Sequence, residues 1–197
     1  VGSVRCVWET VSVPSAILDE QSHIIGEAHA LRGLVYFDMV RFFAQHYKYT
    51  ADGSHLGVPL SLDFDPSDRP SRNTVKEVYD QIILDMTTAI SLMKNNSRSG
   101  DSSTLSDISV KALLARVYLY KEDWNNAETM SSDVIGSSEY NLIPNDSYLD
   151  LWSKDNNSES IFEISMTDTD NVGSNGIGGL YLKNSYGDYL PSSDVIL

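Results

Sequence analysis

The sequence predicts a mainly α-helical chain of helical hairpins, joined by long loops and followed by an irregular segment with little strand. Three observations carry this: four apolar-periodic stretches of helical length, N-cap residues ahead of three of them, and a change after Tyr140 to short apolar pieces among Asn, Asp, Ser and Gly. With 197 residues, 41% of them apolar and 10% aromatic, the chain has the material for a buried core and lies outside the composition of disordered chains.

The first helix is expected over Ile24 to Ala44. Ile24, Ala28, Leu31, Val35 and Met39 follow helical spacing, and Leu34, Phe37 and Phe42 widen the stripe, which predicts a helix buried on most sides. Gly33 in its middle costs about 1 kcal/mol relative to Ala, a cost that a close helix–helix approach would justify. Residues 45–73 carry Gly53, Gly57, Pro59, Pro66 and Pro70 and read as a long loop, with Gly57-Val58-Pro59-Leu60 as its apolar anchor. Thr74 and Glu77 form a capping box for a second helix, in which Val75, Val78, Tyr79, Ile82, Met86, Ala89, Ile90 and Met93 recur at three and four residues. Ser106 opens a third helix with Ile108, Ala112, Ala115 and Leu119 on one stripe. Asp123 caps a fourth, with Trp124 read as core beside Ala127, Val134 and Ile135. The third and fourth helices make an αα-hairpin. Farther on, Phe162, Ile164 and Met166 alternate with polar residues, which predicts one short strand near 160–166.

Ala115, Tyr118 and Ala127 fit the spacing of a tetratricopeptide-type unit, in which small residues let two helices pack closely. Gly33 and Tyr36 repeat its first half, and the loop at 45–73 displaces the second half to the helix carrying Ala89. Two degenerate tetratricopeptide-like hairpins follow, the first with a long insert.

Charge and motifs exclude several classes. Fourteen Lys and Arg against 28 Asp and Glu give a net charge of −14, which opposes a nucleic-acid backbone or an anionic membrane surface as ligand. A single cysteine, Cys6, forms no intramolecular disulfide and no cysteine metal cluster. No apolar stretch is long enough to span a bilayer, and the opening VGSVRCVWETVSVP carries neither a signal-peptide pattern nor a lipobox at Cys6. Because the first residue is Val, the chain is expected to be a piece of a longer protein. Nucleophile-elbow, zinc-protease, P-loop and dinucleotide motifs are absent, so no catalytic residues are assigned. His23, His29, His46 and His55 lack metal-ligand spacing, and neither Asp168–Gly173 nor the Asp63, Asp65, Asp68 run completes a calcium loop. No metal or cofactor is expected.

The blocks GEAHALRGLVYFDMVRFF, GVPL, TVKEVYDQIILDMTTAISLM, SVKALLARVYLYKEDWNNAETMSSDVIGSSEYNLI and SYLDLWSKDNNSESIFEIS, in that order, resemble the SusD/RagB family of outer-membrane nutrient-binding lipoproteins over Ile24 to Met166. The resemblance implies a tetratricopeptide-like helical region at 24–138, preceded by a segment at 1–23 of unassigned role. It makes 139–197 part of a larger irregular domain. It further implies a surface-exposed outer-membrane protein, held by a lipid anchor outside this chain, that captures a glycan without enzymatic action. The glycan passes to a SusC-like TonB-dependent transporter. A protein-binding helical scaffold and a glycoside hydrolase component are the rival expectations.

Sugar rings are held by aromatic faces and by polar groups that fix hydroxyls. Tyr181, Tyr186 and Tyr189, with Asn175, Asn184 and Asp188, are therefore the expected glycan-contacting set, joined by Trp152, for which packing is the competing role. The loop at 45–73, with His46, Tyr47 and Tyr49, is the alternative place for a partner contact.

Overall fold

The computed structural model describes residues 15–63, 65, 67, 69–93, 102–151, 154–165 and 168–170. Helix α1 spans Ser15–Phe43, α2 Val75–Met93, α3 Asp107–Lys121, α4 Trp124–Ser137 and the single turn α5 Tyr148–Leu151. The chain divides into two units, Val1–Glu163 and Ile164–Leu197. All five helices belong to the first. In the second, the described residues include a 3-10 turn at Asp168–Asp170.

Helices α1 and α2 pair antiparallel through small residues. A Cβ built on Gly26 would stand 2.7 Å from Met93 Cγ, and one on Gly33 would stand 3.2 Å from Met86 Cγ. The backbones thus approach as the mid-helix glycine predicted. Ala30, Phe37 and Val40 continue this face and are buried with Val78, Tyr79, Ile82, Met86, Ala89 and Met93 of α2. Leu105, Val110, Leu114 and Val117 add α3 to the same core. Phe37 meets Tyr79 and Tyr120 edge to face, with centroids 6.2 and 5.3 Å away.

Ion pairs to the buried Asp85 join α1 to α2. Arg32 donates to both oxygens of the buried Asp85 carboxylate at 2.9 and 2.6 Å, and His29 Nδ1 lies 2.9 Å from Oδ1. Burial alone would push the Asp85 carboxyl up, but the bonds from Arg32 and His29 outweigh it and hold it below its ordinary value.

The caps form where the sequence places them. Glu77 accepts the Thr74 N–H at 2.8 Å while Thr74 Oγ1 accepts the Glu77 N–H at 3.2 Å. Ser106 and Ser109 satisfy each other at the start of α3, and Asp123 accepts from Asn126 at the start of α4. Glu122, in the left-handed region at φ 61°, turns the chain between α3 and α4.

Four expectations are corrected. Helix α1 begins at Ser15, not Ile24, and it is not buried on most sides: the stripe Ile24, Leu31, Val35 is 54%, 44% and 57% exposed, while the covered face is His23, Gly26, Ala30, Gly33, Phe37, Val40. Both sets fall on one helical face each, at separations of three, four or seven, so spacing alone does not say which one packs. Trp124 is 59% exposed and not core; on α4 only Ala127 is buried. No strand forms among the described residues of 160–166. Phe162 packs on the core and Ile164 is exposed, so the alternating set does not share one buried face. The Glu163 N–H instead donates to the Ser102 carbonyl at 2.9 Å, and the Glu163 carboxylate accepts from the Asn156 N–H at 2.6 Å.

Candidate functional site

The long loop between α1 and α2 is ordered by bonds that cross large sequence separations. Tyr36, on the last third of α1, donates its hydroxyl to the Ser61 carbonyl and accepts the Ser61 N–H, both at 2.8 Å. Leu56 and Thr74 form an antiparallel bridge, and the Gly57 N–H donates to the Asn73 carbonyl at 2.7 Å. Gly57 has no room for a side chain, since a Cβ there would stand 3.1 Å from the Val75 backbone. Val58 is buried and Leu60 packs on the core, so the anticipated apolar anchor is in place.

Arg72 closes this arrangement. Its Nε donates to the Gly57 carbonyl at 2.6 Å, and one η nitrogen donates to the carbonyls of Leu56 at 3.1 Å and Phe43 at 3.4 Å. Those bonds tie the C-terminal end of α1 to the returning loop and leave between them a groove of about 710 Å³. Phe42, Phe43, Ala44, Gln45, Tyr49, His55, Leu56 and Arg72 line it. Phe42, Phe43 and Tyr49 are 76%, 71% and 60% exposed, which is unusual for rings of this size next to a packed core. Tyr49 is steadied by edge contacts with His55 at 5.2 Å and His46 at 6.1 Å. His55 is itself fixed, with Nδ1 2.8 Å from Thr50 Oγ1 and Nε2 3.3 Å from the Gln45 carbonyl.

A second, smaller groove of about 330 Å³ lies where the loop meets the α3–α4 turn. Tyr47, Lys48, Lys121, Glu122, Asp123, Trp124 and Asn125 line it. The ammonium groups of Lys48 and Lys121 stand 5.7 and 5.8 Å from the Tyr47 ring, and burial pushes the Tyr47 phenol up.

Tyr181, Asn184, Tyr186, Asp188, Tyr189 and Trp152, the expected glycan-contacting set, lie outside the described residues, as does Asn175. The rings that the structure brings together are others. Phe42 was counted in the apolar stripe of α1 and Trp124 in the core of α4, whereas Tyr49 belongs to the loop singled out as the alternative contact region. The signal for the groove is a Phe-Phe pair at the last turn of a helix just ahead of a breaker-rich loop: at that point no following turn covers the rings. Among the described residues no cluster of three metal-ligating side chains occurs, and no helix is long and apolar enough to cross a membrane.

Residues 2–119 match the SusD-like family described as starch-binding, associating with the outer membrane. A SusD-like protein, P38, of Formosa agariphila is 30% identical over 125 residues, which cover 61% of this chain and 22% of that protein. Among solved structures, a putative sugar-binding protein from Bacteroides vulgatus is 31% identical with a TM-score of 0.77, covering 90% of this chain and 41% of that one. A laminarin-binding SusD-like protein is 27% identical with a TM-score of 0.57, covering 78% and 32% of the respective chains. The chain thus spans between about a fifth and two fifths of the length of these relatives. With the family match covering more than half of its residues and the helical hairpins shared with the solved structures, the chain belongs to the SusD-like family.

Proposed function

We propose that this chain is the helical part of a non-enzymatic oligosaccharide-binding component of an outer-membrane nutrient-uptake complex. The glycan is captured by ring stacking and hydrogen bonds and delivered to a SusC-like TonB-dependent transporter. The observation that carries this reading is the match of residues 2–119 to a family described as starch-binding and associating with the outer membrane. A lipid anchor elsewhere in the polypeptide would hold it at the cell surface. The exposed rings on the helical unit support a role in contacting sugar, because a pyranose presents an apolar C–H face to an aromatic plane. Tyr181, Tyr186, Tyr189, Asn184, Asp188 and Trp152 form a second proposed contact set in the C-terminal region.

Titration calorimetry of the full chain with maltohexaose and laminarihexaose tests the reading. Saturable binding without release of reducing ends is expected. Release of reducing ends would replace it with a hydrolase, and absence of binding to either sugar by the folded chain would overturn it. Loss of affinity in Tyr186→Ala and Trp152→Ala at unchanged helicity would support the second contact set.

The uncovered stripe of α1, Ile24, Leu31, Val35, favours a second role, as a surface on which another apolar protein segment packs. A scaffold function of this kind is compatible with binding sugar elsewhere on the chain.

A further inference from the structure

We infer that the groove between the end of α1 and the returning loop is a subsite for a neutral glucan, with Phe42 and Tyr49 as its stacking rings. The inference rests on the glycan-binding reading above and assigns it a place.

Four features of the groove converge on this ligand. Its rings are large and exposed, yet they are attached to fixed supports: Phe42 lies in the last turn of a 29-residue helix, and Tyr49 sits in a 3-10 turn braced by His46 and His55. Its backbone frame is fixed too, because Arg72 holds three carbonyls from the two sides of the groove. A site whose groups are held in advance loses little freedom when a sugar binds. Its volume lies within the range of small-ligand clefts, about 300–1,000 Å³.

The polar inventory is the fourth feature. Among the described residues, the side-chain amide of Gln45 and the hydroxyl of Tyr49 have no hydrogen-bond partner, and the second η nitrogen of Arg72 makes no bond. These groups supply both donors and acceptors beside the rings, as vicinal sugar hydroxyls require. His55 offers none, since both its nitrogens are engaged. No carboxylate lines the groove, although the chain carries a net charge of −14. Arg72 carries the one formal charge in the lining, and its free η nitrogen donates to a sugar hydroxyl as it would to any oxygen acceptor. A ring with one apolar face and several hydroxyls engages both the aromatic faces and these polar groups, which a cation or a plain apolar segment does not.

The test is calorimetric titration of the full chain with maltohexaose and, separately, laminarihexaose. Circular dichroism confirms helicity for each variant. Phe42→Ala and Tyr49→Ala are each expected to weaken binding about tenfold or more, the size of effect that central aromatic contacts carry. Tyr49→Phe is expected to fall between Tyr49→Ala and the parent, because it keeps the ring and removes the hydroxyl. Ile135→Ala, at an exposed site on α4 remote in sequence from the groove, is expected to bind as the parent does. The sugar that loses affinity identifies the linkage the groove accepts. Parent-like binding of both sugars by Phe42→Ala and Tyr49→Ala, or a loss confined to Trp124→Ala or Tyr186→Ala, would overturn the inference while leaving the glycan-binding function standing. Failure of the parent chain to bind either sugar would overturn both.

Discussion

Asp85 shows how a single charged residue is made tolerable in a core. An unpaired buried carboxylate costs several kcal/mol, whereas one that accepts three charge-assisted bonds is held ionised. Because Arg32 and His29 hold its folded value below the ordinary 3.8, Asp85 binds its proton less readily folded than unfolded. Its contribution is therefore fully present at neutral pH, begins to be lost as pH falls below 3.8 and disappears below the folded value. Asp85→Ala is expected to lower stability by roughly 1–3 kcal/mol, because it removes the bonds that join Arg32 and His29 to α2 while the one-third-exposed Arg32 guanidinium keeps access to water. Thermal melts between pH 7 and pH 3 check both parts: the variant should melt lower at pH 7 and show a shallower acid limb than the parent. His23 is the opposite case. It is fully buried, neither ring nitrogen has a hydrogen-bond partner among the described residues, and a Glu27 carboxylate oxygen lies 3.8 Å from Nε2. Removing an unsatisfied buried polar group relieves its desolvation cost, so His23→Leu is expected to gain about 1 kcal/mol in denaturant unfolding. A loss of that size instead would show that the ring packs better than Leu at this place.

Helix α1 carries two apolar stripes, and at the scale of the element their difference is measurable. Phe37→Ala removes a ring that is wholly buried against Tyr79 and Tyr120 and is expected to cost about 3–5 kcal/mol. Val35→Gln, two residues earlier, is expected to stay within about 0.5 kcal/mol of the parent, as exposed substitutions do. Equal losses at the two positions would mean that α1 is packed on both sides in solution. The existence of this helix was legible in its spacing, but the choice of face was not. Hydrophobicity ranks Ile24, Leu31 and Val35 above Gly26, Ala30 and Gly33, whereas close approach to α2 selects the small residues, since Met86 and Met93 need the space that a side chain would fill. The capped helices were read more securely for a physical reason: a cap is a local bond between residues three apart, visible in Thr74 with Glu77 without knowing what lies beyond. Trp124 was misread because position on a helix does not say how much partner surface faces it, and α4 buries only Ala127.

At the scale of the whole molecule, what the sequence could not disclose is set by long-range bonds. The loop from Gln45 to Asn73 follows no periodicity, and its course depends on Tyr36 meeting Ser61 and on Arg72 meeting Phe43. The groove is a product of those meetings, so Phe42 and Tyr49 could be seen as aromatic residues but not as neighbours. Charge, by contrast, is additive and was legible from composition. A net charge of −14 raises the energy of the compact state by self-repulsion: pairs such as Asp85 with Arg32 and Asp133 with Lys111 form, but 14 Lys and Arg cannot neutralise 28 acidic residues. Raising the salt concentration from about 0.01 M to about 0.15 M shortens the screening length from about 30 Å to about 8 Å. The melting temperature is therefore expected to rise by about 2–4 °C, the shift that ~1 kcal/mol produces in a chain of this size. A fall would show that favourable ion pairs outweigh the repulsion. Glucan affinity should not move over the same range, because the ligand is uncharged and the groove contains no carboxylate. Measuring melting temperature and glucan affinity along one salt series thus separates the self-repulsion of the whole chain from any charge effect at the groove.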